Sequence, residues 1–175
     1  TKVEILGNDT QSIIQYHTSN ANTKDGLRDG CVIYDEVHQY ENYDTVNVFS
    51  SGLGKVPNAR EFFIGTDGYV RDGFLDKLKE RAMNILKGES LDDPLFPFIC
   101  KIDDPNEIDN PESWEKANPM FHEPMNSYAK GLLRKVKTQH RQLANNPSGR
   151  EEFMTKRMNL PEEDLEKSVA PWEDI

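Results

Sequence analysis

The chain has 175 residues with 21 Lys and Arg against 31 Asp and Glu, a formal net charge of −10 at pH 7, which argues against a simple nucleic-acid-binding module. With 30% charged and 35% hydrophobic residues it is polar but not disordered, and its length allows one substantial core and a small second lobe. No stretch is apolar enough to span a membrane and no signal-peptide pattern appears, so a cytoplasmic protein is expected.

In chain order, SIIQYHT, from Ser12 to Thr18, reads as a first strand. Cys31 to Tyr34, apolar throughout and following a Gly, reads as a short strand buried on both faces of a parallel sheet. Val46, Phe49 and Leu53 then recur at helical spacing before Gly54, and Phe62 to Ile64 form another strand, stopping at Gly65. Asp72 is expected to cap a helix with Phe74, Leu75, Leu78, Ala82 and Ile85 on one face, closed by Gly88. PLFPFICKI reads as a further strand, with Pro97 favouring an edge or a strand start. Strand and helix alternate as in an α/β layer. Cys31 and Cys100 sit in apolar runs and read as reduced core thiols.

Beyond Lys101 the character changes. From there to Glu123, with Asp92 and Asp93, nine acids face two bases, and Pro105, Pro111 and Pro119 break any long element. A helix is expected from Asn126 to Ala144, with Leu132, Leu133, Val136, His140 and Leu143 inward, and a second from Gly149 to Met158. Lys130, Arg134, Lys137 and Arg141 fall on one other stripe of the first helix. That stripe reads as a phosphate contact, as an answer to the acidic stretch, or as a solvated face. Between Lys130 and Arg157 eight bases face two acids, and the terminal stretch from Glu162 is acidic again.

The residues Asp35-Glu36, directly after the apolar run, have the shape of a Walker B element. The first carboxylate, fixed at a strand end, would hold the water shell of Mg²⁺ on nucleotide phosphates. The second would orient or deprotonate the attacking water. Two solvated acids opening a loop is the plainer reading. Thr66, in the segment from Gly65 to Gly68 at the next strand end, is placed to sense a γ-phosphate, or else Thr66 or Asp67 bonds local backbone in an ordinary turn. Arg28, just before the strand, suits charge neutralisation in a transition state, or a surface ion pair with Asp25 or Asp29.

The ordered set TSNANTKDGLRDGCVIYDEVHQYEN, REFFIGTDGY, PESWEKANP, EEFMTKRMNL and APWED resembles large terminase subunits of tailed bacteriophages over nearly the whole chain. The resemblance implies an additional-strand, RecA-like P-loop NTPase that uses ATP and Mg²⁺ to drive double-stranded DNA into the procapsid. It also implies a nuclease, a homo-oligomeric ring, and the portal protein and small terminase subunit as partners in a host bacterial cell. By motif match Asp35 is the Mg²⁺-linked aspartate, Glu36 the catalytic glutamate, Thr66 part of the coupling motif, and Arg28 the arginine that acts across a subunit boundary. The coupling motif departs from the family's Thr-Thr-x-Gly, reading Gly65-Thr66-Asp67-Gly68.

No G-x-x-x-x-G-K-[S/T] loop occurs in the chain. The chain is therefore expected to be an excerpt of a longer protein, with residues 1–125 the latter part of the ATPase domain and 126–175 a small helical linker subdomain leading to an absent nuclease. Three rivals stay open: a DEAH-like helicase motor fragment, from Asp35 to His38; a metal site of Asp35, Glu36 and His38 with Glu41; and a non-enzymatic docking module.

Overall fold

In the computed structural model, which describes residues 4–6, 13–17, 28–69 and 72–161, the chain divides into two units. One comprises residues 1–35 and 42–64, the other residues 36–41 and 65–175.

In the first unit, β1 (Glu4–Leu6) pairs antiparallel with β2 (Ile13–Gln15), Ile5 opposite Ile14. The strand expected from Ser12 to Thr18 is therefore a short hairpin arm, with Ser12 and Thr18 outside the described residues. β3 (Cys31–Tyr34) and β4 (Arg60–Phe63) pair in parallel, joined by α1 (Asp44–Leu53). Val46, Phe49 and Leu53 are the buried apolar face of α1, as their spacing predicts. The fully buried Tyr34 stacks on Phe63 at 4.9 Å and meets Phe49 edge-on at 6.1 Å. Its hydroxyl lies 3.0 Å from Glu61 Oε1 and 3.3 Å from the Val46 carbonyl, so the tyrosine ties strand to helix.

The expectation that β3 is buried on both faces is corrected. Ile33 and its register partner Phe62 are 62% and 49% exposed, because α1 covers only the opposite face of this two-stranded sheet. Cys31 lies on the open face and is exposed rather than a core thiol; Cys100 is half-buried, and both are free.

The second unit is helical. α2 (Phe74–Leu86) buries Phe74 and Ala82, and Gly88 leaves it with φ 79°, the left-handed conformation that glycine adopts without penalty. The cap expected from Asp72 is not made: Gly73 holds that position, and Asp72 donates its own N–H to Asp76 Oδ2 at 3.0 Å. PLFPFICKI forms no strand; Pro94 and Pro97 have no N–H for a ladder, and Phe96 and Phe98 are exposed. α3 (Ser127–Leu143) is capped by the Asn126 side chain, which accepts from the Ala129 N–H at 2.8 Å. α4 (Arg150–Met158) buries Phe153, Met154 and Met158.

One core joins Ile102, Ile108, Trp114 and Phe121 to Val136, Phe153, Met154 and Met158. The acidic, proline-broken stretch thus wraps around α3 and α4, and the boundary expected at residue 125 falls inside this core. Trp114 anchors it: the indole donates to the Ile108 carbonyl at 2.9 Å and packs edge-on against His140 at 5.3 Å. The Asn118 amide donates to the Trp114 carbonyl at 3.2 Å and the Arg157 carbonyl at 2.9 Å, which gives SWEKANP a physical role as the clasp of an irregular segment. No helix among the described residues is long and apolar enough to cross a membrane.

Candidate functional site

The parallel register sets Tyr34 opposite Phe63, and the Ile64 N–H donates to the Tyr34 carbonyl at 2.9 Å. Both strands therefore end at one edge, and Asp35 leaves the sheet beside Ile64 with its carboxylate exposed. In open α/β sheets ligands bind at the carboxyl ends of parallel strands. Buried Tyr34 makes that strand end rigid, so the residue after it starts from a defined point.

Glu36 turns the chain. Its backbone is left-handed (φ 52°, ψ 45°), a conformation that costs a non-glycine residue about 1–2 kcal/mol. A 3-10 turn of residues Val37–Gln39 follows, closed by the Gln39 N–H on the Glu36 carbonyl at 2.9 Å. Gly65 packs against this turn: a Cβ there would lie 3.1 Å from the Val37 nitrogen and 3.3 Å from the Glu36 Cα, both backbone atoms. Only a glycine lets the two segments approach so closely. The Glu36 side chain is 55% exposed, with Oε2 3.1 Å from His38 Nδ1. His38 is itself only 10% exposed, its ring seated on Gly68.

The segment after β4 is held from the helical side. Asp67 is buried; its carboxylate accepts from Lys79 Nζ at 2.7 Å and from the Gly68 N–H at 2.9 Å, and Lys79 also reaches Asp76 at 3.0 Å. The Asp67 N–H donates to Asn159 Oδ1 at 2.6 Å, and Asn159 Nδ2 donates to the Cys100 carbonyl at 2.9 Å. Thr66 is exposed between Gly65 and this buried aspartate. The local backbone bond expected of Asp67 is made to Gly68, but the bond to Asn159 spans 92 residues and left no local pattern to read. Asn159 itself is left-handed (φ 53°) at the end of α4, a position that Asn tolerates.

Arg28 is exposed at the amino end of β3, so the strand, four residues at roughly 3.3 Å each, separates it from the edge where Asp35 emerges. Lys130, Arg134, Lys137 and Arg141 are all exposed on α3, whose core face is Val136. In the acidic stretch Asp103 and Glu107 pair with Lys116, and Asp109 with His140, rather than with that stripe. Among the described residues no group of three or more His, Cys, Asp and Glu is arranged to hold a metal, so Asp35, Glu36, His38 and Glu41 do not assemble the rival site. Mg²⁺ asks less of a protein, since it keeps several waters and takes one or two carboxylates with substrate phosphates. A single exposed aspartate on a rigid strand end fits that demand; these residues contain no glycine-rich lysine loop for the phosphates.

Residues 1–84 match the family described as terminase large subunit, ATPase domain. The chain is 26% identical over 136 residues to Protein YmfN of Escherichia coli (strain K12), covering 78% of this chain and 29% of that protein. It is 29% identical over 89 residues to the terminase large subunit of Lactococcus phage p2, covering 51% and 16%. In structure, 90% of the chain superposes on 33% of the HK97 bacteriophage large terminase, with a TM-score of 0.65 at 19% identity, a likeness of α/β fold. The chain thus spans under a third of the length of these curated relatives.

Proposed function

We propose that this chain, which belongs to the terminase large-subunit family, supplies the hydrolytic strand edge of an ATP-driven motor that moves double-stranded DNA into a procapsid. The observation that carries the reading is the parallel exit of β3 and β4, with Asp35-Glu36 at the carboxyl end of β3. In this reading β3 and β4 belong to a larger additional-strand, RecA-like P-loop sheet. Asp35 would hold the water shell of the Mg²⁺ that accompanies ATP, and that ion would supply charge neutralisation on the phosphates. Glu36 aims and deprotonates the attacking water, while Thr66 lies in the segment that senses the terminal phosphate. Arg28, at the other end of β3, acts on a neighbouring subunit's site in a homo-oligomeric ring. The common core of Ile102 through Met158 supports counting the acidic turns with the helical linker subdomain, ahead of a nuclease. Lys130, Arg134, Lys137 and Arg141 line its DNA-facing side; the portal protein and the small terminase subunit are the protein partners, in the cytoplasm of the host cell.

Glu36→Gln in a full-length terminase carrying this segment keeps the shape and removes the base, so ATP hydrolysis and packaging should fall by about 10²- to 10⁴-fold. Parental activity in that variant would refute the assignment. The 175-residue chain by itself, without a phosphate loop, should not turn over ATP; robust Mg²⁺-dependent hydrolysis by it would overturn that part.

A further inference from the structure

We infer that His38 is a positioning residue for Glu36, its buried Nδ1 directing the glutamate carboxylate toward the water to be activated. The inference rests on the proposed role of Glu36 and concerns how that side chain is aimed. His38 Nδ1 is shut off from solvent and makes no aligned hydrogen bond, although Glu36 Oε2 stands 3.1 Å away. A buried polar nitrogen without a partner is unfavourable, and such groups persist where a working state uses them.

The ring is seated closely on the segment after β4. It sits on Gly68, where a Cβ would lie 2.6 Å from Cδ2 and 2.9 Å from Cγ. Gly68 is fixed through Asp67, which Lys79 and Asn159 hold. From the other side, the turn carrying His38 is tied to α2 by the Phe74 N–H on the Tyr40 carbonyl at 3.1 Å. The Glu36 side chain beside it is 55% exposed. With the proton on Nδ1 the ring donates to Oε2 once the two are in line, and that bond sets the direction in which the carboxylate points. The same contact links the carboxylate to the Gly65–Gly68 segment, so the aim of Glu36 depends on where that segment lies.

The test is steady-state Mg·ATP hydrolysis by full-length terminase. His38→Ala should lower kcat about 10- to 100-fold with KM unchanged. His38→Gln, whose amide can donate to the carboxylate, should recover about tenfold of that loss. Gly68→Ala, which pushes the ring off its seat, should reproduce the kcat defect, and His38→Ala should cost nothing further in the Glu36→Gln background. An inactive Glu36→Gln beside a His38→Ala of parental kcat would overturn this inference alone, whereas an active Glu36→Gln would overturn the role of Glu36 itself. Loss of kcat and KM together with no recovery by Gln would also overturn it, marking His38 as merely structural. If His38→Ala does not fold, a parental kcat in Gly68→Ala overturns the inference in its place.

Discussion

Replacing Asn159 tests whether the segment that follows β4 is fastened to the helical core by one side chain. Asn159 accepts from Asp67 N–H at 2.6 Å and donates to the Cys100 carbonyl at 2.9 Å, both part-buried, from a residue whose φ is 53°. Asn159→Gly removes both bonds and relieves the backbone; at about 1 kcal/mol net for each bond it should destabilise the chain by about 2 kcal/mol. Asn159→Ala removes the same bonds and adds a left-handed residue without asparagine's tolerance for it, a further cost of about 1 kcal/mol. The Ala variant should therefore lie about 3 kcal/mol below the parent and about 1 below Gly, read as urea midpoints by far-UV circular dichroism at unchanged m. Amide exchange gives the local readout: the Asp67 N–H should lose protection in both variants while the α3 amides keep theirs. Equal midpoints for parent and Gly, with Asp67 still protected, would refute the reasoning.

Trp114→Phe should cost about 1–3 kcal/mol, since the Ile108 carbonyl loses its buried donor, and Trp114→Ala about 3–5 kcal/mol, both measured by chemical denaturation. Lys116, hydrogen-bonded to Asp103 and Glu107, holds both carboxyls below their ordinary range, and they in turn raise the lysine. The stability from the depressed acids is present above their unfolded pKa values and fades as pH falls below about 4, and that from the raised lysine fades above about pH 10. The difference in midpoint between parent and Lys116→Ala should therefore be present at pH 7 and vanish by pH 2; a constant difference would contradict the pairing. Substituting Lys130, Arg134, Lys137 and Arg141 together by Ala should weaken DNA binding by the full-length protein and flatten its log–log salt slope by up to about 3.6. Unchanged packaging would rule out their contact with phosphate.

Local signals carried much of this fold. The helix of residues Asp44–Leu53 followed from Val46, Phe49 and Leu53, and α3 from its inward stripe, because a 3.6-residue period acts within one or two turns. The four-residue strand before Asp35 was equally legible, since its composition leaves no other use for the segment. Ladder partners, by contrast, are not written locally: PLFPFICKI has strand composition, yet two prolines and the lack of a pairing neighbour leave it irregular. For the same reason the exposure of Cys31 and Ile33 could not be foreseen, because apolar residues on a strand do not say which face is covered.

The sequence by itself determined that Asp35 and Glu36 follow a short strand, that Gly65 and Gly68 bracket the next strand's exit, and that two helices lie between residues 126 and 158. Only the tertiary structure decided what those glycines are for, namely to admit the backbone of Glu36 and Val37 and the ring of His38. It alone brought Asn159 to Asp67 and Trp114 to Ile108 and His140. The reason is range: periodicity and caps act over a few residues, whereas a buried hydrogen bond across 92 residues exists only after the core between its ends has packed.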